Sequence, residues 1–169
     1  MAYTAISTFA DSSVTAALLN ASIRDNQLAI KDPPSGNHES NEASNYTMNT
    51  TTPTNIDTVD WTKTIVTTGG DVFLGLTANG VSAGSRGAII EVYIDSATQT
   101  IISSIFNSTS KTVPHPIPCV YLIQGLSAGS HTFTIRWYLS IGTSLNTIYA
   151  GAGTASYDVH PQFWVRELS

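Results

Sequence analysis

The stretch Thr132-Phe133-Thr134-Ile135-Arg136-Trp137-Tyr138-Leu139 decides the fold. Alternate side chains of an extended chain point to opposite faces. Phe133, Ile135, Trp137 and Leu139 therefore share one wholly apolar face, with Thr132, Thr134, Arg136 and Tyr138 on the other. A second stretch, Ala88–Asp95, reads the same way: Ala88, Ile90, Val92 and Ile94 lie opposite Ile89, Glu91, Tyr93 and Asp95. Such pairs are half-buried β-strands, and each carries a charge among the aromatic or apolar residues of its second face.

Working outward, further β-type runs occur at Thr62–Thr67, Val72–Ala78, Thr100–Phe106, Val120–Gln124, Asn146–Ala150 and Gln162–Leu168. With the first two they make eight, enough for a two-sheet sandwich. Turn residues fall between them at Gly69-Gly70-Asp71, Asn79-Gly80, Gly125 and Gly129, as antiparallel connections require. No long helical pattern interrupts the runs, which argues against a parallel α/β sheet. The expected class is all-β, a jelly-roll-like antiparallel β-sandwich preceded by one N-terminal α-helix.

That helix is expected from Asp11 to Lys31. Asp11, Ser12 or Ser13 can cap it, Ala16, Leu19, Ile23 and Ile30 recur at helical spacing, and Pro33-Pro34 ends it. Asn20, Arg24, Asn26, Gln27 and Lys31 occupy the other side, leaving a narrow apolar stripe that needs a partner surface. The polar, turn-rich segment after it suggests three parts: an arm and docking helix over 1–34, a polar linker or edge strand over 35–55, with a short strand near Tyr46, and the β domain over 56–169.

Composition narrows the function. Of 169 residues, 11% are charged and 41% hydrophobic, and Ser plus Thr make up roughly a quarter. The net charge is -5 and the Lys and Arg residues are scattered, so no basic stripe exists for nucleic acid. One cysteine, Cys119, excludes an intrachain disulfide. The first residues lack the pattern of a signal peptide, and no run of eighteen apolar residues suggests a membrane span. Glycosylation-type triplets at Asn20, Asn45, Asn49 and Asn107 are then the chance product of a Ser/Thr-rich chain.

Candidate chemistry is sparse. Gly80-Val81-Ser82-Ala83-Gly84 and Gly125-Leu126-Ser127-Ala128-Gly129 both match the nucleophile-elbow pattern of serine hydrolases. An elbow must join a strand to a helix, whereas each of these is followed by a strand pattern, so a loop is expected. His38, His115, His131 and His160 are dispersed, and only His115 has Cys119 nearby, short of the three or four ligands of a metal site. The run from Pro114 to Cys119 reads as a stiff extended loop entering a strand. Asp57 with Asp60 and Glu39 with Glu42 are the closest acidic pairs, and solvated charge explains both. No enzyme, metal or cofactor is expected. Aromatic residues leave one alternative, a glycan-binding attachment module that stacks a host sugar on an exposed ring, with Tyr149 and Tyr157 as the candidate contacts.

The N-terminal run Val14-Thr15-Ala16-Ala17-Leu18-Leu19-Asn20, followed by Ile23-Arg24-Asp25-Asn26-Gln27-Leu28-Ala29-Ile30-Lys31, resembles a leader of tailed-bacteriophage structural proteins. Gly125 through Trp137, Ile148-Tyr149-Ala150-Gly151 and Phe163–Leu168 resemble the jelly-roll end of such proteins. The resemblance covers both ends and hardly the middle. Phe9 stands where a tryptophan often opens the leader, and Ile30 where leucine is usual; both keep an apolar anchor. The resemblance implies a virion protein, a capsid decoration or a tail appendage, docked through Leu19, Ile23, Arg24, Asp25, Asn26 and Ile30 on other virion proteins. Jelly rolls of this size commonly form homotrimers, and the mixed faces at Glu91, Tyr93, Arg136 and Tyr138 suit a subunit interface. Arg136 is expected to pair with Glu91, within a subunit or between subunits.

Overall fold

The structure, a computed structural model, describes residues 16–31, 33–40, 42–82, 87–103, 114–153 and 159–168. Among these residues a helix, α1 (Ala16–Lys31), precedes eleven strands: β1 (Ser35–Glu39), β2 (Tyr46–Met48), β3 (Thr54–Asn55), β4 (Thr62–Thr67), β5 (Gly70–Ser82), β6 (Ala88–Ile94), β7 (Ala97–Ser103), β8 (His115–Leu126), β9 (Gly129–Leu139), β10 (Asn146–Ile148) and β11 (Gln162–Leu168). All observed pairings are antiparallel.

Among the described residues six strands form the first sheet and five the second, yet each sheet is four lanes wide. Gly80 of β5 lies opposite Ile148 of β10 and also opposite His115 of β8. Since a residue has one neighbour on each side, β10 and β11 follow one another along one edge of β5 and β8 takes the other. Beyond them, β1 pairs with β11 and β2 with β10. In the second sheet Arg136 of β9 lies between Asn55 and Glu91, and Phe133 between Lys63 and Ile94. So β3 and β4 share one side of β9, with β6 and then β7 on the other. Two four-lane antiparallel sheets make the jelly-roll-like sandwich, with the helix ahead of it.

The core lies between the sheets, filled by the inward faces that alternation defines. Phe133, Ile135, Trp137 and Leu139 are buried, as are Ala88, Ile90, Val92 and Ile94. Val72, Leu74, Leu76, Phe163 and Val165 meet them from the first sheet. Each large side chain so buried contributes roughly 1.5–3 kcal/mol relative to exposure. Trp61, before β4, stacks on Phe163 at 6.5 Å and takes Tyr46 edge-on at 5.9 Å, which ties the early chain to the core.

Three expectations need correction. The run placed at Thr100–Phe106 begins earlier, because Asp95 and Ser96 both adopt positive φ, 49° and 71°. They form a two-residue reversal that turns β6 directly into β7; residues 104–106 lie outside the described set. Asn79-Gly80 is no turn: β5 runs through it because β10 supplies partners there. The proline-rich approach to Cys119 is the first half of β8, with Pro116 opposite Asn79 and Pro118 opposite Thr77. On an edge lane the amide that proline lacks can face away from the partner strand. Residues 35–55 enter both sheets as β1, β2 and β3.

Candidate functional site

Three places in the fold gather the residues singled out above: α1, the outer face of the second sheet, and the loops at the sandwich ends. A fourth, the outer face of the first sheet, was not foreseen.

Pro33 and Pro34 end α1 just before β1. The described part of the helix presents large apolar side chains to solvent. Leu18, Leu19 and Ile23 are exposed, at 59%, 40% and 46%. Arg24 pairs with the adjacent Asp25 at 3.1 Å, leaving its guanidinium largely in solvent, and Asn26 is half-buried. The side chains of Ala16 and Ile30, and residues 11–15 at the expected start, lie outside the described set. Among the described side chains of the apolar stripe, Leu19 and Ile23 face solvent.

On the outer face of the second sheet, Arg136 and Glu91 are directly opposed in the ladder, and a guanidinium nitrogen lies 2.8 Å from the carboxylate. Glu91 is buried at 4% exposure. The guanidinium also sits 4.3 Å from the centre of the Tyr93 ring, a cation–π contact. The pair forms within one chain. Tyr138 and Ile89, on the same face, are half-buried.

At the sandwich ends, Ser127, His131 and Asp95 come together, the three residue types of a serine-hydrolase triad. His131 Nε2 lies 2.9 Å from the Ser127 carbonyl and 3.4 Å from Ser127 Oγ. His131 Nδ1 faces an Asp95 carboxylate oxygen, and the other Asp95 oxygen accepts from the Thr132 amide at 2.8 Å. Carbonyl and carboxylate can only accept, so the doubly protonated ring is the form that satisfies both contacts. Its hydrogen bond to Asp95 raises its pKa, against burial that would lower it. Asp95 is held below the usual carboxylate range: burial alone would raise it, but the Thr132 amide and His131 more than offset that. The ring nitrogen nearest Ser127 is closer to its carbonyl than to its hydroxyl, and Gly129 opens a strand where an elbow needs a helix. The group is a structural clamp across two hairpin turns, not a catalytic triad. Ser82, at the end of β5, is fully buried.

A second polar cluster fastens the early chain. His38 Nε2 meets Asp60 at 2.8 Å, and the Tyr46 hydroxyl donates to the other Asp60 oxygen at 2.9 Å. Glu42, hydrogen-bonded to Asp60, has its pKa raised by that contact; Asp60, with burial acting the other way, is lowered by Glu42 and Tyr46. The Asp60 carboxylate is thus taken up by His38 and Tyr46 from the early strands. Asp57 instead accepts the amides of Val59 and Asp60 at 2.6 and 2.7 Å, closing a turn. Among the described residues no three His, Cys, Asp or Glu side chains could hold a metal ion.

One of the sugar-contact candidates also needs correction. Tyr149 is buried at 8% exposure, because the backbone pairing of its amide with Asn79 carries it into the sheet, and it offers no ring for stacking. Tyr157 lies outside the described residues. The tryptophan that does reach the surface is Trp164, half-buried on the outer face of the first sheet, whereas Trp61 and Trp137 are at 1% and 2%. Its indole occupies the space that a Cβ on Gly75, its cross-strand neighbour, would fill. With Phe73, Arg166, Ser35 and Asn37 it lines an open groove of about 650 Å³. Alternation along β11 places Trp164 outward, but only Gly75, almost ninety residues away in sequence, lets the ring lie against the sheet.

No protein-family profile matches the sequence, and no curated protein matches it. Solved structures do match in fold. The tumour necrosis factor Eiger of S. frugiperda aligns with a TM-score of 0.50 at 9% identity, over 82% of this chain and 95% of that one. The VP2 subviral particle of infectious bursal disease virus aligns with a TM-score of 0.47 at 12% identity, over 80% of this chain and 38% of that one. At such identities the likeness to Eiger is one of fold: an all-β antiparallel sandwich.

Proposed function

We propose that this chain is a structural component of a bacteriophage particle surface, a capsid decoration or tail appendage, in which α1 docks on another virion protein and the sandwich projects. The observation that carries this reading is α1 itself: Leu18, Leu19 and Ile23 are exposed along one helix. Exposed apolar side chains grouped on one segment mark a contact with another surface. The leader's likeness to those of tailed-phage structural proteins supports a virion as the place of that contact.

Three copies associate through the outer face of the second sheet, around Tyr93 and Tyr138. Both rings are half-buried beside an ion pair already neutralised within the chain, so the face can be covered without stranding a charge.

Particles purified from the producing host should carry the chain, located by a label on it, and Leu19→Asp with Ile23→Asp should remove it from them. Absence of the wild-type chain from such particles overturns the reading. Sedimentation should give a trimer that Tyr138→Glu converts to monomer; a wild-type monomer at micromolar concentration overturns the self-association.

A further inference from the structure

We propose that the groove on the outer face of the first sheet is a saccharide-binding site, in which a sugar ring stacks on Trp164 and an acidic substituent pairs with Arg166. The register of three adjacent strands builds it. Asn37, Trp164 and Gly75 form one rank across β1, β11 and β5; Ser35, Arg166 and Phe73 form the next. All lie on the outer side of the sheet, since the alternating Val72, Leu74, Phe163 and Val165 are buried in the core.

Each position supplies something a sugar needs. A pyranose presents C–H groups on its faces, which pack on an aromatic ring, and hydroxyls around its edge, which need donors and acceptors. Gly75 leaves room for the indole against β5, so one side of the ring rests on backbone and its orientation is set before a ligand arrives. Phe73 extends the apolar floor. Asn37 and Ser35, both exposed, bring an amide and a hydroxyl to the rim. Arg166 is exposed, and no carboxylate among the described residues pairs with it. A guanidinium fork beside a stacking ring selects a carboxylate-bearing sugar over a neutral one. Nucleic acid, the other polyanion that stacks on aromatic rings, is disfavoured by the net charge of -5.

The site lies on the opposite side of the sandwich from the proposed subunit contact. It does not depend on the particle role, which is read from α1, so either can fail alone.

The full-length chain should be titrated with a hexuronate trisaccharide and with a neutral hexose trisaccharide, followed by indole fluorescence and calorimetry. The hexuronate is expected to bind with Kd below about 1 mM and the neutral sugar about tenfold more weakly. Trp164→Ala should abolish binding of both. Arg166→Gln should erase the difference between them, and Asn37→Ala should weaken both; these two side chains are exposed, and melting curves will verify that their variants fold. The proposal is overturned if neither sugar binds, or if binding survives Trp164→Ala unchanged. Equal affinity for the two sugars overturns the acidic preference.

Discussion

Arg136 and Glu91 face each other across the β6–β9 ladder, with the guanidinium 2.8 Å from the carboxylate and 4.3 Å from the centre of the Tyr93 ring. The carboxylate has almost no solvent to fall back on. Removing Arg136 would leave a buried negative charge, a defect that typically costs several kcal/mol. Arg136→Ala should therefore lower unfolding free energy by about 3 kcal/mol, measured by urea denaturation. Arg136→Met combined with Glu91→Leu should recover most of it, because a buried pair replaced by apolar groups is often neutral. A double variant no better than the single one would contradict this account.

The His131 clamp gives stability a pH signature. The folded state raises the His131 pKa above 6.5, so its contribution is complete below that value and is lost as pH rises through the folded-state pKa. Asp95 is lowered from 3.8, so its contribution is complete above that value and is lost as pH falls through the lower one. The clamp is strongest between roughly pH 4 and pH 6.5. His131→Gln should depress the melting temperature more at pH 5.5 than at pH 9. A deficit independent of pH would mean that the charge of His131 contributes nothing. A serine-reactive phosphonate should leave Ser127 and Ser82 unlabelled.

Glu167 points inward from β11 and is buried at 2% exposure. Its carboxylate accepts from the Thr68 amide at 2.8 Å, the Thr68 hydroxyl at 3.1 Å and the Gly69 amide at 3.1 Å. These bonds pin the β4–β5 turn to the last strand. Glu167→Ala should cost about 3 kcal/mol and Glu167→Gln, which keeps one acceptor, about 1–2 kcal/mol. Equal losses for the two would show that packing, and not the acceptor oxygens, sets the effect.

Leu19→Asp and Ile23→Asp change exposed helix residues. Each should leave unfolding free energy within about 0.5 kcal/mol of wild type, by thermal and urea denaturation of the soluble chain. A larger loss would place α1 against its own sandwich.

Much of the sandwich was legible because alternation is local. The faces of Phe133–Leu139 and Ala88–Ile94 follow from side-chain period alone, and Gln162–Leu168 coincides with β11. Short-range geometry failed where pairing overrides composition: Asn79-Gly80 has turn chemistry but sits inside β5, and Pro116 and Pro118 are accommodated by an edge lane.

The sequence by itself determined the class of fold, the inward faces of the main strands and an amphipathic helix ending before Pro33. Only the tertiary structure decided that Arg136 meets Glu91 within one chain, that the Asp60 carboxylate meets His38 and Tyr46, and that Trp164 reaches the surface while Tyr149 is buried. The reason is register. Period two assigns a residue to a face from its immediate neighbours, whereas which residues oppose each other across strands is set by long-range pairing, with Gly75 and Trp164 separated by almost ninety positions.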